Sequence, residues 1–118
     1  TGQLRLMRDV RPDERTIGTL DLYDFDQYHN RAGVGILIAD ESDRQKGYAS
    51  AALACVIEYA FEIIGLHQLW CNILESNVAS MNLFTNHGFS ICGTRKEWTR
   101  VSDDYETEHL LQLIKPHK

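Results

Sequence analysis

Apolar positions along this chain switch between a period of two and the helical period. LRLMRDV (4–10) alternates as a half-buried strand does. RPDE (11–14), with Pro12 and Asp13, is a turn. RTIGTLDLYDF (15–25) sets Ile17, Leu20 and Leu22 among polar neighbours and reads as a second strand. DQYHNRAG (26–33) is a hairpin connection, and GVGILIA (33–39) is a third strand whose apolar run predicts burial on both faces. These three strands are expected to be antiparallel in succession. DESDRQKG (40–47) is a charged loop ending in glycine. From Tyr48 to Ile64 the residues Ala49, Leu53, Val56, Ile57, Ala60, Phe61 and Ile64 form one helical stripe, which Gly65 stops. HQLWCNILE (67–75) reads as a buried strand. Ser76 or Asn77 then caps a helix over 78–87, ended by Gly88. FSICGTRKEW (89–98) and ETEHLLQLI (106–114) are two closing strands joined by the polar turn VSDDY (101–105). The predicted order is β-β-β-α-β-α-β-β, in a single domain over 1–118 without repeats or low-complexity tracts.

Composition narrows the class. The 118 residues are 43% hydrophobic and 25% charged, which is ordinary for a globular domain. The net charge of -5 argues against nonspecific nucleic-acid binding, which needs a basic face, and is compatible with a cationic substrate. The uncharged run Gly47–Ile57 is only 11 residues, and Ser76–Thr94, at 19 residues, is too polar, so no membrane span is expected. Cys55, Cys71 and Cys92 are odd in number and widely spaced, without CxxC or zinc-finger spacing, so they read as free thiols in a reducing cytoplasm. His29, His67, His87, His109 and His117 are scattered, and no metal site is expected.

The most informative segment is GILIADESDRQKGYASAAL (35–53). A buried strand runs into a basic, glycine-bearing loop that opens a long helix. The first turn of a helix carries unpaired N–H groups and partial positive charge. Arg44 and Lys46 add full charges, and Gly47 lets the backbone approach a ligand closely. Together they suit a phosphate or pyrophosphate. Neither GxxxxGK[ST] nor GxGxxG is present. The alternative is a solvated charged loop ahead of a helix.

Arg44-Gln45-Lys46-Gly47-Tyr48-Ala49 resembles the R/Q-x-x-G-x-G/A motif of the GNAT superfamily of N-acetyltransferases. NVASMNLFTNHGF (77–89) is similar to that family's N-x-x-S/A-x-x-L-Y/F-x-x-x-G-F segment, and the element order matches from the family's second strand to its end. EIIGLHQLWCNILESN and DDYETEHLLQL have the flavour of the branch holding spermidine/spermine and ribosomal-protein N-acetyltransferases. The resemblance implies an α/β (α+β) acyl-CoA N-acyltransferase fold: a mixed, mostly antiparallel sheet with helices on both faces. The family usually begins with a strand and two helices ahead of the first strand read here, so the chain is taken as a domain lacking them. The resemblance further implies that the strand at Ile36, Leu37 and Ile38 pairs its backbone with the pantetheine arm of acetyl-CoA, the acyl donor. The segment Arg44, Gln45, Lys46, Gly47, Tyr48, Ala49 and Ser50 would cradle the pyrophosphate. Asn77 and Ser80 match positions that contact the pantetheine or acetyl end, with helix capping and surface polarity as the alternative.

The pattern breaks at the chemistry. Many members use a tyrosine to protonate the departing thiolate, and its slot holds Phe84, which has no proton to give and is left to pack in the core or against the cofactor. The acidic residue that several polyamine acetyltransferases carry before the cofactor strand is replaced by Gly33 or Val34. A thiol with a pKa near ~8.5 is a fair leaving group, so direct transfer needs mainly positioning and a deprotonated amine. Glu75 and Ser76, at the end of a strand beside the cleft, are candidates to hold a proton-accepting water. Tyr105 and Tyr23 are weaker candidates. Cys71 reads as core, and Trp70 and Trp98 as packing residues, with Trp98 alternatively at a substrate mouth. Asp103, Asp104, Glu106 and Glu108 read as a solvated turn or, alternatively, an amine-attracting rim. The expected function is acetyl transfer from acetyl-CoA to a primary amine, a polyamine or a protein N-terminus. The alternative is a CoA-binding regulatory or interaction module with weak or no catalysis. A homo-oligomer is compatible with both.

Overall fold

The structure is a computed structural model that describes residues 4–9, 16–38 and 43–116, with backbone alone for 4–9, 16–19, 37–38 and 43–46. The chain forms β1 (Leu4–Asp9), β2 (Thr16–Asp26), β3 (Arg31–Ile38), α1 (Asp43–Glu58) running into π-helical turns at Tyr59–Ile64, β4 (Gln68–Leu74), α2 (Val78–Asn86), β5 (Ser90–Val101) and β6 (Asp104–Ile114). This is the order that the periodicity predicts. The turn expected at 11–14 lies outside the described residues.

One six-stranded sheet runs β1-β2-β3-β4-β6-β5. All neighbours are antiparallel except β3 and β4, which are parallel because α1 crosses over between them. The β2–β3 hairpin turns where Asp26 Oδ1 accepts the N–H groups of Tyr28 and His29 at 3.1 and 2.9 Å. Asn30, at φ 59°, completes the turn, and its Nδ2 donates to the Gly65 carbonyl at 2.9 Å.

Period-two alternation gives the sheet two unlike faces. Leu20, Leu22, Ala32, Val34, Leu69, Cys71, Ile73 and Leu111 are buried on one face. Ala52, Leu53, Val56, Ala60 and Phe61 from the long helix, and Phe84 from α2, join the same core. A hydrogen bond of 2.9 Å between Ser50 Oγ and His87 Nε2 ties the two helices together. Both described helices therefore lie on one face of the sheet. On the opposite face Tyr23, Gly33, Trp70 and Gln112 stand in register, with Asn72 two residues further along β4.

Gly47–Ile64 is long and apolar enough to cross a membrane by length and composition, which the 11-residue run did not reveal. In the fold it is the core helix, with Leu53, Val56, Ala60 and Phe61 buried. Burial on both faces of β3 holds at Ala32–Val34: Ala32 and Val34 face the core, and Gly33 is buried beneath Tyr23 and Trp70.

Candidate active site

The two parallel strands pair only at Arg31–Gln68, Ala32–Leu69 and Gly33–Trp70. Beyond those pairs β3 continues to Ile38 and β4 to Leu74. Each stays paired on its outer side, β3 with β2 through Ile38 and β4 with β6 through Leu74. The strands thus diverge as a V closed at Gly33 and Trp70. A separated inner edge leaves backbone donors and acceptors that an extended ligand can pair with.

The wide end of the V meets the starts of both helices. α1 begins at Asp43, so Arg44, Gln45, Lys46 and Gly47 form its first turns, which corrects the expected charged loop over 40–47. Arg, Gln and Lys are good helix formers, and a charged first turn carries no apolar stripe for periodicity to read. A Cβ on Gly47 would meet nothing within 4 Å. Glycine here costs the helix about 1 kcal/mol relative to alanine, and the chain's own packing does not require it. Open space above an orphan-donor helix start suits an anion. Tyr48 is half-buried and Ala49 buried, while the Ser50 hydroxyl is engaged by His87 rather than turned to a ligand.

Asn77 caps α2, its Oδ1 accepting the Ser80 N–H at 3.2 Å. Ser80 is the buried polar residue among those described, 7% exposed, and its hydroxyl finds no partner among them. A buried unpaired hydroxyl is costly, so this one fits a ligand that supplies the missing bond. Glu75 and Ser76 form the turn before Asn77 and are exposed. The Glu75 N–H donates to Thr107 O at 2.9 Å, and the Ser76 N–H to Glu106 Oε1 at 3.3 Å. At about 3.3 Å per strand residue, Glu75 stands roughly 16 Å from Trp70, far from the closed end. Phe84 is 1% exposed and edge-on to Phe89 at 5.0 Å. The structure puts it in the core and not on a cofactor surface.

At the closed end Tyr23 lies beside Gly33 and Trp70, its ring 5.5 Å from the indole and nearly perpendicular at 78°. On the same face a groove of about 590 Å³ is lined by Asp24, Arg31, Trp70, Asn72, Arg95 and Gln112 among others. Arg95 bonds Glu108 at 3.1 Å and sits 5.3 Å from the Trp98 ring. Trp98 is 63% exposed, so it does not pack in the core as the sequence suggested. Cys71 is buried, and burial first, then Cys92, pushes its thiol up to about 12. Among the described residues no three His, Cys, Asp or Glu side chains cluster to hold a metal ion. The Tyr23–Gly33–Trp70 arrangement was missed at the sequence level because it exists only in the register of three strands.

Residues 3–90 match the family model described as the acetyltransferase (GNAT) domain. The chain belongs to the GNAT family. GNAT relatives include a probable N-acetyltransferase of Bacillus subtilis, YjcK, 24% identical over 88% of this chain and 58% of its own length. The spermidine N(1)-acetyltransferase of Vibrio cholerae is 29% identical over 62% of this chain and 42% of its own. The chain thus spans well under two-thirds of these GNAT relatives. Mutant forms of the spermidine/spermine N-acetyltransferase SpeG of Vibrio cholerae share the GNAT fold. They superpose with a TM-score of 0.84 at 22% identity, over 98% of this chain and 68% of theirs.

Proposed function

We propose that this chain forms the donor site of an N-acetyltransferase that moves acetyl from acetyl-CoA to a primary amine by direct attack. The observation that carries the reading is the V between β3 and β4, opening onto the starts of α1 and α2. The α1 start, with Arg44, Lys46 and Gly47, holds the pyrophosphate; the inner edge of Val34–Ile38 pairs with the pantetheine arm; Asn77 and Ser80 flank it. Acetyl-CoA supplies an activated acyl carbon and a thiolate leaving group. The protein's part is to align that carbon with the amine, since positioning lowers the barrier more than any single contact. A small amine of the polyamine kind is the favoured acceptor, with a protein N-terminus as the other member of the class; the relatives named as spermidine acetyltransferases support the first. A dodecameric structure of the Vibrio cholerae spermidine N-acetyltransferase likewise supports a homo-oligomer.

Calorimetric titration with acetyl-CoA tests this, with Arg44→Ala/Lys46→Ala alongside. Binding that weakens in the variant is expected. A folded protein that does not bind would sink the reading. The second reading, a CoA-binding module without catalysis, draws on the core position of Phe84. Binding without transfer to any amine in a broad panel would favour it.

A further inference from the structure

We propose that the Tyr23 hydroxyl is the proton donor to the sulfur that leaves when acetyl is transferred. The inference rests on the acetyl-CoA reading of the V. In that reading the pyrophosphate lies at the wide end and the thioester points toward the closed end.

Placement comes first. Tyr23 pairs with Gly33, and Gly33 with Trp70 is the last pair before β3 and β4 part. The next observation is space. A Cβ at Gly33 would meet Tyr23 Cζ at 2.8 Å and Cε2 at 2.9 Å, and one at Gly35 would meet Cε1 at 3.4 Å. The ring therefore lies across the bare backbone of both glycines, and Cζ, which bears the hydroxyl, sits over Gly33. Any larger residue at 33 would displace it. Trp70, edge-on at 5.5 Å, fixes the ring from the β4 side. The third observation is chemical. Tyr23 is half-buried, yet its hydroxyl makes no hydrogen bond among the described residues. Burial first, then Cys71, Asp24, Asp21 and Glu108, raises its pKa above the usual tyrosine value, so it carries its proton at neutral pH, although the same shift makes it a weaker acid. Phe84 has no proton to offer and is enclosed in the core.

The step balances. The amine nitrogen bonds to the acetyl carbon, and the carbon–sulfur bond breaks with its electron pair left on sulfur. Sulfur takes the Tyr23 proton, and the phenolate recovers one released by the newly acylated nitrogen, through water. Amide and thiol leave, and the tyrosine is restored.

The test is Tyr23→Phe, which keeps the ring on Gly33, Gly35 and Trp70. Calorimetry with acetyl-CoA and steady-state transfer to a panel of spermidine, spermine and peptide N-termini are measured on both proteins. The expected result is unchanged acetyl-CoA affinity and amine KM, with kcat lower by about 100-fold, the scale of a lost general acid. An unchanged kcat overturns the proposal. So does a loss of affinity that accounts for the lost rate, since Tyr23 would then be a packing residue. Wild-type protein that binds acetyl-CoA but acetylates nothing overturns the Tyr23 role and leaves the binding site standing. Absence of acetyl-CoA binding removes both.

Discussion

Phe84 and Cys71 show how burial decides what a side chain is available for. Phe84 interlocks with Phe89, so Phe84→Ala should cost about 3–5 kcal/mol through the lost contacts and cavity, read as a shift in denaturant midpoint. Phe84→Tyr places a hydroxyl in that core without a partner. It should cost about 1–3 kcal/mol and leave acetyl transfer no faster, which kinetics beside the melt would check. The Cys71 thiol, ordinarily at 9.0, is held near 12 in the fold. The unfolded chain therefore ionises it first. Between about pH 9 and 12 the unfolded state binds fewer protons than the folded one, so stability falls as pH rises through that window. At pH 8 a thiol reagent should label exposed Cys55 and Cys92 in the native protein, and Cys71 only after denaturation.

Among the elements, α1 carries the clearest conflict between stability and binding. Gly47 weakens its first turns, and the space above is open. Gly47→Ala should raise helix stability by about 1 kcal/mol while weakening acetyl-CoA binding, because the new methyl occupies that space. A higher Tm with a higher Kd is the expected pair. A higher Tm with unchanged Kd would place the pyrophosphate elsewhere. The helix extends by π-helical turns to Gly65, which adopts φ 84° as its left-handed cap. Lys115 Nζ donates to Phe61 O at 3.2 Å there, satisfying one of its terminal carbonyls.

For the whole molecule, the sheet is held together on either side of a deliberate gap. β3 is paired with β2 and β4 with β6 along lengths where they do not pair with each other. Amide exchange should register this. Acetyl-CoA should slow exchange in 34–38, in the first turns of α1 and at 77–80, while the β5–β6 hairpin, paired from Ser90–Gln112 to Val101–Asp104, stays unchanged. Protection confined to the hairpin would contradict the site.

The sequence by itself determined the order of the elements, because each has its own apolar period and its own stop: Gly65 after the long helix, Asn77 before the short one, Gly88 after it. It also offered Arg44, Lys46 and Gly47 as a candidate anion site, since the three lie together in the chain ahead of a helical stripe. It misjudged where that helix begins, because a charged first turn carries no apolar signal. Tertiary structure alone decided that both described helices share one face, that Phe84 is enclosed, and that Tyr23 lies on Gly33 at the closed end of the V. Those facts depend on strand register, which is a set of contacts between residues far apart in the chain, and local periodicity does not encode it.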